Sequence, residues 1–280
     1  MLIIDNAPLI EAIFELRWGE LAPGNFQYSD EERSLFAGKF SVAAANSGYK
    51  VIERIASFAN MPMMVSHRFR LNENIWPCFQ IGLGIFTANQ TKDNYSWNTF
   101  KTSIKTGLDI FSQADPKMLS KAKDSLAMIL RYQDAFFPNQ NESIEEYLKN
   151  HFNVNVSLPA SFSESASLDD KYSAVNVVIQ IFSKEPKGTL VITISDAIIN
   201  DKPGLIMETT VQSSASDIFE CSGNTDLILD WCEKAHDLQK HSFVNLIKPS
   251  AYEALKLCHS STLSQLICLA LILFILFLTM

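Results

Sequence analysis

The chain has 280 residues, a formal net charge of −8 and a pI of about 5.2. This length is sufficient for a substantial buried core, in one domain or in two fused halves. The acidic balance and the lack of any run of Lys or Arg argue against a dedicated nucleic-acid-binding protein, because contacts to phosphates need a basic surface.

The five cysteines are widely spaced and odd in number, and none forms a C-x-x-C pair. This is not the pattern of a disulfide framework or of a zinc site. The first residues, Met1 to Asp5, lack the positive region and the long apolar run of a secretory signal. We therefore expect a cytoplasmic protein with reduced thiols.

The segment from Pro8 to Trp18 alternates between apolar and charged side chains. Side chains of a strand alternate between two faces, so this pattern predicts a strand with one apolar face. A helical spacing also fits, but Pro8 and the aromatic and β-branched content favour the strand. Glu11, Glu15 and Arg17 then share the other face.

Two interpretations of this charged face stay open. The simpler one is a solvated face with an ion pair between Glu15 and Arg17, because antiparallel sheets commonly have one wet face. The functional one is a charged cluster inside a sheet cavity, where paired carboxylates can have shifted pKa values.

The first half of the chain predicts the order strand, helix, three strands, helix. A capping box at Ser29 to Glu32 begins the first helix, and Gly48 ends it. An apolar stripe from Trp97 to Phe111 predicts the second helix. Gly82 and Gly84 leave one face of the last strand almost bare, as at a bend or a close approach. The three strands are predicted near 49–55, 64–71 and 79–88.

The second half repeats this order of elements over about 125–247. Alternation from Leu126 to Tyr132 favours a strand, and a second capping box at Ser143 to Glu146 begins a short helix. Pro203-Gly204 predicts a turn, and a long helix runs from Asp226 to about Ile247. The three strands of this half are predicted at 154–158, 172–182 and 189–199, the last two as a hairpin.

These patterns predict an α+β fold with two similar units, residues 1–115 and 116–250. Each unit would pack an antiparallel sheet against a long helix, and such units often pair their sheets around a pseudo-twofold axis. The similarity to TATA-binding-protein-like or helix-grip architectures is one of element order only.

Residues 263–280 form an apolar C-terminal segment in which only Ser264, Gln265 and Thr279 are polar. A membrane-spanning helix needs roughly 20 residues, with about 17 as the lower limit. The segment is therefore interpreted as a tail anchor in the inner, cytoplasmic membrane, as a reading-frame artefact, or as a buried core helix.

Several blocks of the sequence together resemble one family. The blocks are Pro8 to Trp18, Pro77 to Gly82, Asn89, Tyr95 to Phe100, Leu130 to Tyr132, Trp231, Ala235-His236 and Phe243. In this combination the chain is similar to a sporadically distributed, functionally uncharacterised family of bacterial and archaeal proteins. The resemblance covers about Asn6 to Lys248 and implies a common fold without a known activity. The family usually has Asn soon after the Arg-Tyr pair, where Gln133 and Asp134 stand here.

The sequence contains no motif that indicates catalysis or metal binding. Gly82-Leu83-Gly84 lacks the third glycine of a dinucleotide fingerprint, and neither a P-loop nor a nucleophile elbow is present. His236 and His241 are five residues apart, about 140 degrees around a helix, whereas a metal pair needs a spacing of four. The candidate ligand-binding residues are Glu11, Glu15, Arg17, Arg131 and His236.

We therefore expect a non-catalytic binding or interaction protein without a cofactor or metal. Its partner would be a protein or a small molecule, and 263–280 would tether it to a membrane if this segment is an anchor. The alternative is an enzyme or a small-ligand receptor with a pocket between sheet and helix, faced by Glu11, Glu15 and Arg17.

Overall fold

The computed structural model describes residues 8–55, 61–138, 142–156, 158–159, 161, 174–253 and 255. Most of them belong to one large antiparallel sheet and to helices that pack on one of its faces. The strands of this sheet are β1 (Leu9–Arg17), β4 (Val51–Arg54), β5 (Val65–Arg70), β6 (Cys78–Gly82), β7 (Ile85–Thr91), β8 (Ala127–Phe136), β9 (Asn176–Lys184), β10 (Lys187–Ile199) and β11 (Lys202–Ser213), while β2 (Glu20–Ala22) and β3 (Asn25–Phe26) form a separate small ladder. The helices are α1 (Asp30–Ser34), α2 (Phe36–Asn46), α3 (Trp97–Ala114), α4 (Met118–Lys121), α5 (Ile144–His151) and α6 (Thr225–Leu246).

β1 is the middle strand of the nine-stranded sheet, and β8 and then β11 follow it on one side. The strand order is β4-β5-β6-β7-β1-β8-β11-β10-β9, and neighbouring strands are antiparallel. Strands from 1–115 and from 116–250 thus join one sheet where β1 pairs with β8, with Phe14 opposite Leu130. The predicted α+β fold with an antiparallel sheet is confirmed.

The face of the sheet that contacts the helices is apolar. On β1 this face carries Ala12, Phe14 and Leu16, all fully buried, as the alternation predicts. Full burial of a side chain of the size of Leu or Phe stabilises the fold by about 1.5–3 kcal/mol. α3 comes so close to the sheet that a Cβ on Gly107 would lie 2.7 Å from the ring of Phe79.

Both predicted capping boxes are present. Ser29 accepts a hydrogen bond from the backbone N–H of Glu32, and Ser143 accepts one from that of Glu146, with the reciprocal bonds also formed. The helix that Ser29 begins is interrupted at Leu35, so α1 and α2 take the place of the single predicted helix.

The prediction of one continuous strand at 79–88 is wrong, because this segment is the hairpin of β6 and β7. Gly84 in its turn has a φ of +81°, a left-handed conformation that favours glycine. A Cβ on Gly82 would lie 1.8 Å from the carbonyl oxygen of Met64, so a side chain there would collide with the neighbouring backbone. The continuous apolar pattern concealed this turn.

The prediction of a strand at 154–158 is also wrong, since its described residues lie outside any strand. The third strand of the second half is β11, which the sequence patterns missed. Its turn comes at Asn200 and Asp201, with φ of 50° and 62°, rather than at Pro203-Gly204. Consecutive left-handed residues suit a tight hairpin, and proline is tolerated near the beginning of a strand.

The apolar segment 263–280 lies outside the described residues, so its interpretation as a membrane anchor stays a prediction. None of the helices in the described part of the chain is both long and apolar enough to cross a membrane. The three interpretations of 263–280, as a tail anchor, a reading-frame artefact or a buried core helix, all stay open.

Candidate functional site

A cavity of about 160 Å³ lies between the helix-covered face of the sheet and α6. Three central strands (β1, β8 and β11), the segment before α3, and α6 contribute its walls. An apolar cavity of roughly 150 Å³ can hold a molecule the size of benzene. The lining residues are Leu9, Tyr95, Tyr132, Asp134, Thr209, His236, Gln239, Lys240 and Phe243.

Asp134 places a carboxyl group in this cavity. The strand β8 fixes its position, with Asp134 opposite Leu9 on one side and Met207 on the other. Its side chain is buried, at 5% exposure, and no residue in the described ranges forms a hydrogen bond or ion pair with it. Burial raises the pKa of Asp134 from 3.8 to about 7, because a carboxylate loses its hydration there. A hydrogen-bond donor in the cavity would therefore stabilise the charged form.

Gln239 contributes a second buried acceptor. Its Nε2 donates to the carbonyl oxygens of Leu130 and Thr209, both at 2.8 Å, which pins α6 to β8 and β11. Because these two bonds need the amide nitrogen, they fix the orientation of the side-chain amide. The Oε1 atom is then left buried without a hydrogen-bond partner among the described residues.

A chain of hydrogen bonds lines another side of the cavity. The hydroxyl groups of Tyr95 and Tyr132 lie 2.7 Å apart, and the Tyr132 hydroxyl lies 3.0 Å from Nδ1 of His236. Burial lowers the pKa of His236 to about 4. The ring is therefore neutral at neutral pH, and it contributes hydrogen bonding but no charge.

His236 is held from the other side by α3. The indole ring of Trp97 stacks on the imidazole ring, and Trp97 Nε1 donates to Oε1 of Glu233 at 2.9 Å. Lys101 Nζ donates to the other oxygen of the same carboxylate at 2.5 Å. These contacts link α3 and α6 beside the cavity and restrict the rotation of His236.

The structure divides the predicted ligand-binding residues between the two faces of the sheet. Glu11, Glu15 and Arg17 lie on the face of β1 away from the helices, and Arg131 lies beside them on β8. His236 lies in the cavity on the opposite face. The first four residues are brought together, and His236 is separated from them.

The charges on the face away from the helices are largely paired. Glu15 forms the predicted ion pair with Arg17, and Arg131 Nε lies 3.6 Å from Oε1 of Glu208. The buried Nε–H groups of Arg68, Arg70 and Arg131 form no hydrogen bond with the described residues. The guanidinium groups of Arg68 and Arg70 nevertheless lie within 4 Å of Glu53, and that of Arg131 lies within 4 Å of Glu208. The charges that these pairings place on this face include Arg17, Arg68, Arg70 and Arg131 and, with the opposite sign, Glu11, Glu15, Glu53 and Glu208.

Glu11 on this face also has a partner, because Asn89 Nδ2 donates a hydrogen bond to its Oε1 at 2.8 Å. Glu15 and Asn89 on this face are buried, at 6% and 5% exposure, but their polar groups are paired with other residues of the same face. In the cavity, by contrast, Asp134 and Gln239 hold acceptors without partners in the described part of the chain. We therefore take the cavity as the candidate functional site.

Sequence reasoning missed four of the residues that define this site: Tyr95, Tyr132, Asp134 and Gln239. One signal was available for Asp134. It follows Leu130 and Tyr132 at the same alternation, so a strand there places a carboxyl group in an apolar stripe. A buried charged side chain of this kind indicates a functional site or a partner.

No group of three or more His, Cys, Asp and Glu side chains within the described ranges is placed to hold a metal ion. Comparison with known proteins found no match to the chain among protein-family models, curated proteins or solved structures. The family resemblance of the sequence blocks therefore stays a prediction.

Proposed function

We propose that the protein is a non-catalytic binding protein that holds a small molecule in the cavity between the sheet and α6. One observation carries this proposal: Gln239 Oε1 is buried without a hydrogen-bond partner among the described residues, and it lines the same cavity as Asp134, a residue 5% exposed to which no described group donates a hydrogen bond. A buried polar group without a hydrogen bond costs roughly 1–3 kcal/mol, and most such groups in proteins are paired. A bound ligand that donates hydrogen bonds would remove this cost.

The chemistry of the walls favours a small protonated amine. An ammonium group has three donors and a positive charge, so it can bond to Gln239 Oε1 and pair with the Asp134 carboxylate. The rings of Tyr95, Tyr132 and Phe243 offer aromatic surface, which attracts cations when the geometry is suitable. The volume limits the ligand to about the size of benzene.

Lys240 suggests which amines would bind best. Its side chain lines the cavity and is exposed, so its charge lies where the cavity meets solvent. A ligand with the ammonium group inside and a carboxylate at its outer end would complement both Asp134 and Lys240. We therefore propose short aminocarboxylates as the preferred class, ahead of simple alkylamines.

The proposal is tested by calorimetric titration of the full-length chain at pH 8 with three matched probes: a four-carbon aminocarboxylate, the corresponding alkylamine and the corresponding alcohol. We expect the aminocarboxylate to bind best and the alcohol not to bind. Asp134→Asn, which keeps the shape and removes the charge, should weaken amine binding at least tenfold. Asp109→Asn, an exposed carboxyl on α3 paired with Lys105, is the matched control and should change nothing.

Two results would overturn this proposal. One is that none of the three probes binds the parent protein or raises its melting temperature at millimolar concentration. The other is that Asp134→Asn binds the amines as tightly as the parent does. Equal binding of the alcohol and the amine would also contradict the role given to the Asp134 charge.

We further propose that the units 1–115 and 116–250 are related by a pseudo-twofold axis between β1 and β8. The sheet order supports this, since β7, β6 and β5 follow β1 outward as β11, β10 and β9 follow β8. Each half also ends in a long helix, α3 or α6, that contacts the same face of the sheet. An experimental structure in which one rotation fails to superpose these two sets of elements would contradict the relationship.

A further inference from the structure

The outer edge of β9 is an exposed apolar strand edge. β9 pairs with β10 on one side, and no strand in the described part of the chain pairs with its other side. Phe182 is 90% exposed, Val178 61% and Ile181 50%. Val178 and Phe182 lie on the face of the strand away from the core, and Ile181 lies on the other face, where Val177 and Ile179 pack partly buried against the core.

This edge lacks the features that usually protect a sheet from pairing with another chain. Natural edge strands are kept short, charged, bulged or interrupted by proline, because their free N–H and C=O groups can pair with a further strand. The opposite edge, β4, follows that rule, with four residues that include Glu53 and Arg54. β9 has nine residues without proline, and its one charge, Lys184, stands at its end.

The sequence of β9 is also complementary to itself. In an antiparallel pair of two copies centred on Gln180, Val178 would lie opposite Phe182, and Ile179 would lie opposite Ile181. Directly opposed apolar side chains are the pairs that stabilise a sheet. Lys184 would face the neutral Asn176, so the pairing brings no like charges together.

We infer that β9 is a dimerisation edge, at which a second copy of this chain pairs antiparallel about a twofold axis through Gln180. The pairing satisfies the free backbone groups of both strands and covers the exposed apolar side chains at once. Because the axis makes the contact isologous, it closes after two copies and does not continue into a fibre.

The test is the molar mass of the full-length chain in solution, measured by light scattering after gel filtration. We expect a dimer for the parent and a monomer for Phe182→Lys combined with Val178→Lys, because four lysines would then meet across the axis. Ile198→Lys is the matched control: this apolar residue is 72% exposed and lies on β10, beyond the residues that pair with β9, so the dimer should persist. Circular dichroism of each variant shows whether it is folded.

A second measurement does not depend on the stability of the lysine variants. Gln180→Cys places two thiols opposite each other across the axis, so mild oxidation should give a covalent dimer that the parent and Ile198→Cys do not give. A monomeric parent would overturn the inference. So would a dimer that survives both lysines in β9, or a Gln180→Cys variant that cross-links no faster than Ile198→Cys.

Discussion

Trp97 and His236 stack face to face, with ring centroids 4.1 Å apart and planes within 6° of parallel. The contact joins the first turn of α3 to the middle of α6 at the side of the cavity. It excludes water from the imidazole ring and leaves Nδ1 directed at Tyr132. Burial at this side of the cavity lowers the pKa of His236.

Trp97→Leu is expected to open this side of the cavity. Water would then reach His236, and its pKa should rise from about 4 towards the ordinary value of 6.5. The free energy of unfolding should fall by about 2–4 kcal/mol, because a buried aromatic side chain is truncated and the hydrogen bond to Glu233 is lost. An NMR titration of the His236 ring measures the first effect. Trp76→Leu, which removes the ring beneath Arg70, should leave that titration unchanged.

Asp134→Asn is expected to change how stability depends on pH. The pKa of Asp134 is raised in the folded chain from 3.8 to about 7, so between these values the folded state holds more protons than the unfolded state. The stability of the parent therefore falls as pH rises from about 4 to 7, by up to about 4 kcal/mol. Asparagine does not titrate, so the free energy of unfolding of the variant should be close to that of the parent at pH 4.5 and higher than that of the parent at pH 8. Urea denaturation at both values measures this, and an equal difference at both would contradict it.

His236→Gln is expected to act with the opposite sign. The pKa of His236 is lowered in the folded chain to about 4, so between pH 4 and 6.5 the unfolded state binds the proton first. The parent therefore loses stability as pH falls through this range, by up to about 3 kcal/mol, and the glutamine variant does not. The variant loses the ring stack on Trp97 at every pH and is therefore less stable than the parent. Because only the parent is destabilised by acid through His236, this difference in stability should be smaller at pH 4.5 than at pH 7. Urea denaturation at those two values tests this, and a constant difference would count against a buried neutral imidazole.

Gly107→Ala and Gly38→Ala form a matched pair of helix substitutions. Alanine is favoured over glycine in a helix interior by about 1 kcal/mol. At Gly107 the new methyl group would lie 2.7 Å from ring carbons of Phe79 and Phe86, so overpacking should outweigh this gain and destabilise the protein by about 1–3 kcal/mol. Gly38 has no atom within 4 Å of the new Cβ, so the same change there should stabilise it. Thermal melts show whether each variant has a lower or a higher melting temperature than the parent. Equal decreases for both variants would contradict the close approach of α3 to the sheet.

The elements that sequence reasoning predicted are those whose signals are local. The alternation of β1 and the two capping boxes at Ser29 and Ser143 need only a few neighbouring residues to be recognised. The hairpin at Gly84 was missed because its apolar residues continue through the turn. β11 was missed because Pro203-Gly204 looked like the turn that Asn200 and Asp201 form.

The candidate site was less predictable for a different reason. Asp134 and His236 belong to β8 and α6, which are far apart in the sequence, and only the packing of the helix on the sheet brings them to one cavity. His236 was a predicted site residue, but the charged residues predicted with it, such as Glu15, lie on the opposite face. Periodicity assigns the side chains of a strand to its two faces, but it does not indicate which helix will cover either face.

The central position of β1 has a consequence for synthesis on the ribosome. β1 is made before the other strands of this sheet, and β7 and the strands beyond it can join it as soon as the first half has emerged. The other edge of β1 has no partner until β8 is complete, and translation adds only about 5–20 residues per second. For that interval the nascent chain exposes the edge of what will be a central strand, which is a site for pairing with other chains. A chain terminated between the two halves would keep this edge exposed, so we expect incomplete translation products to pair with other chains more readily than the complete one.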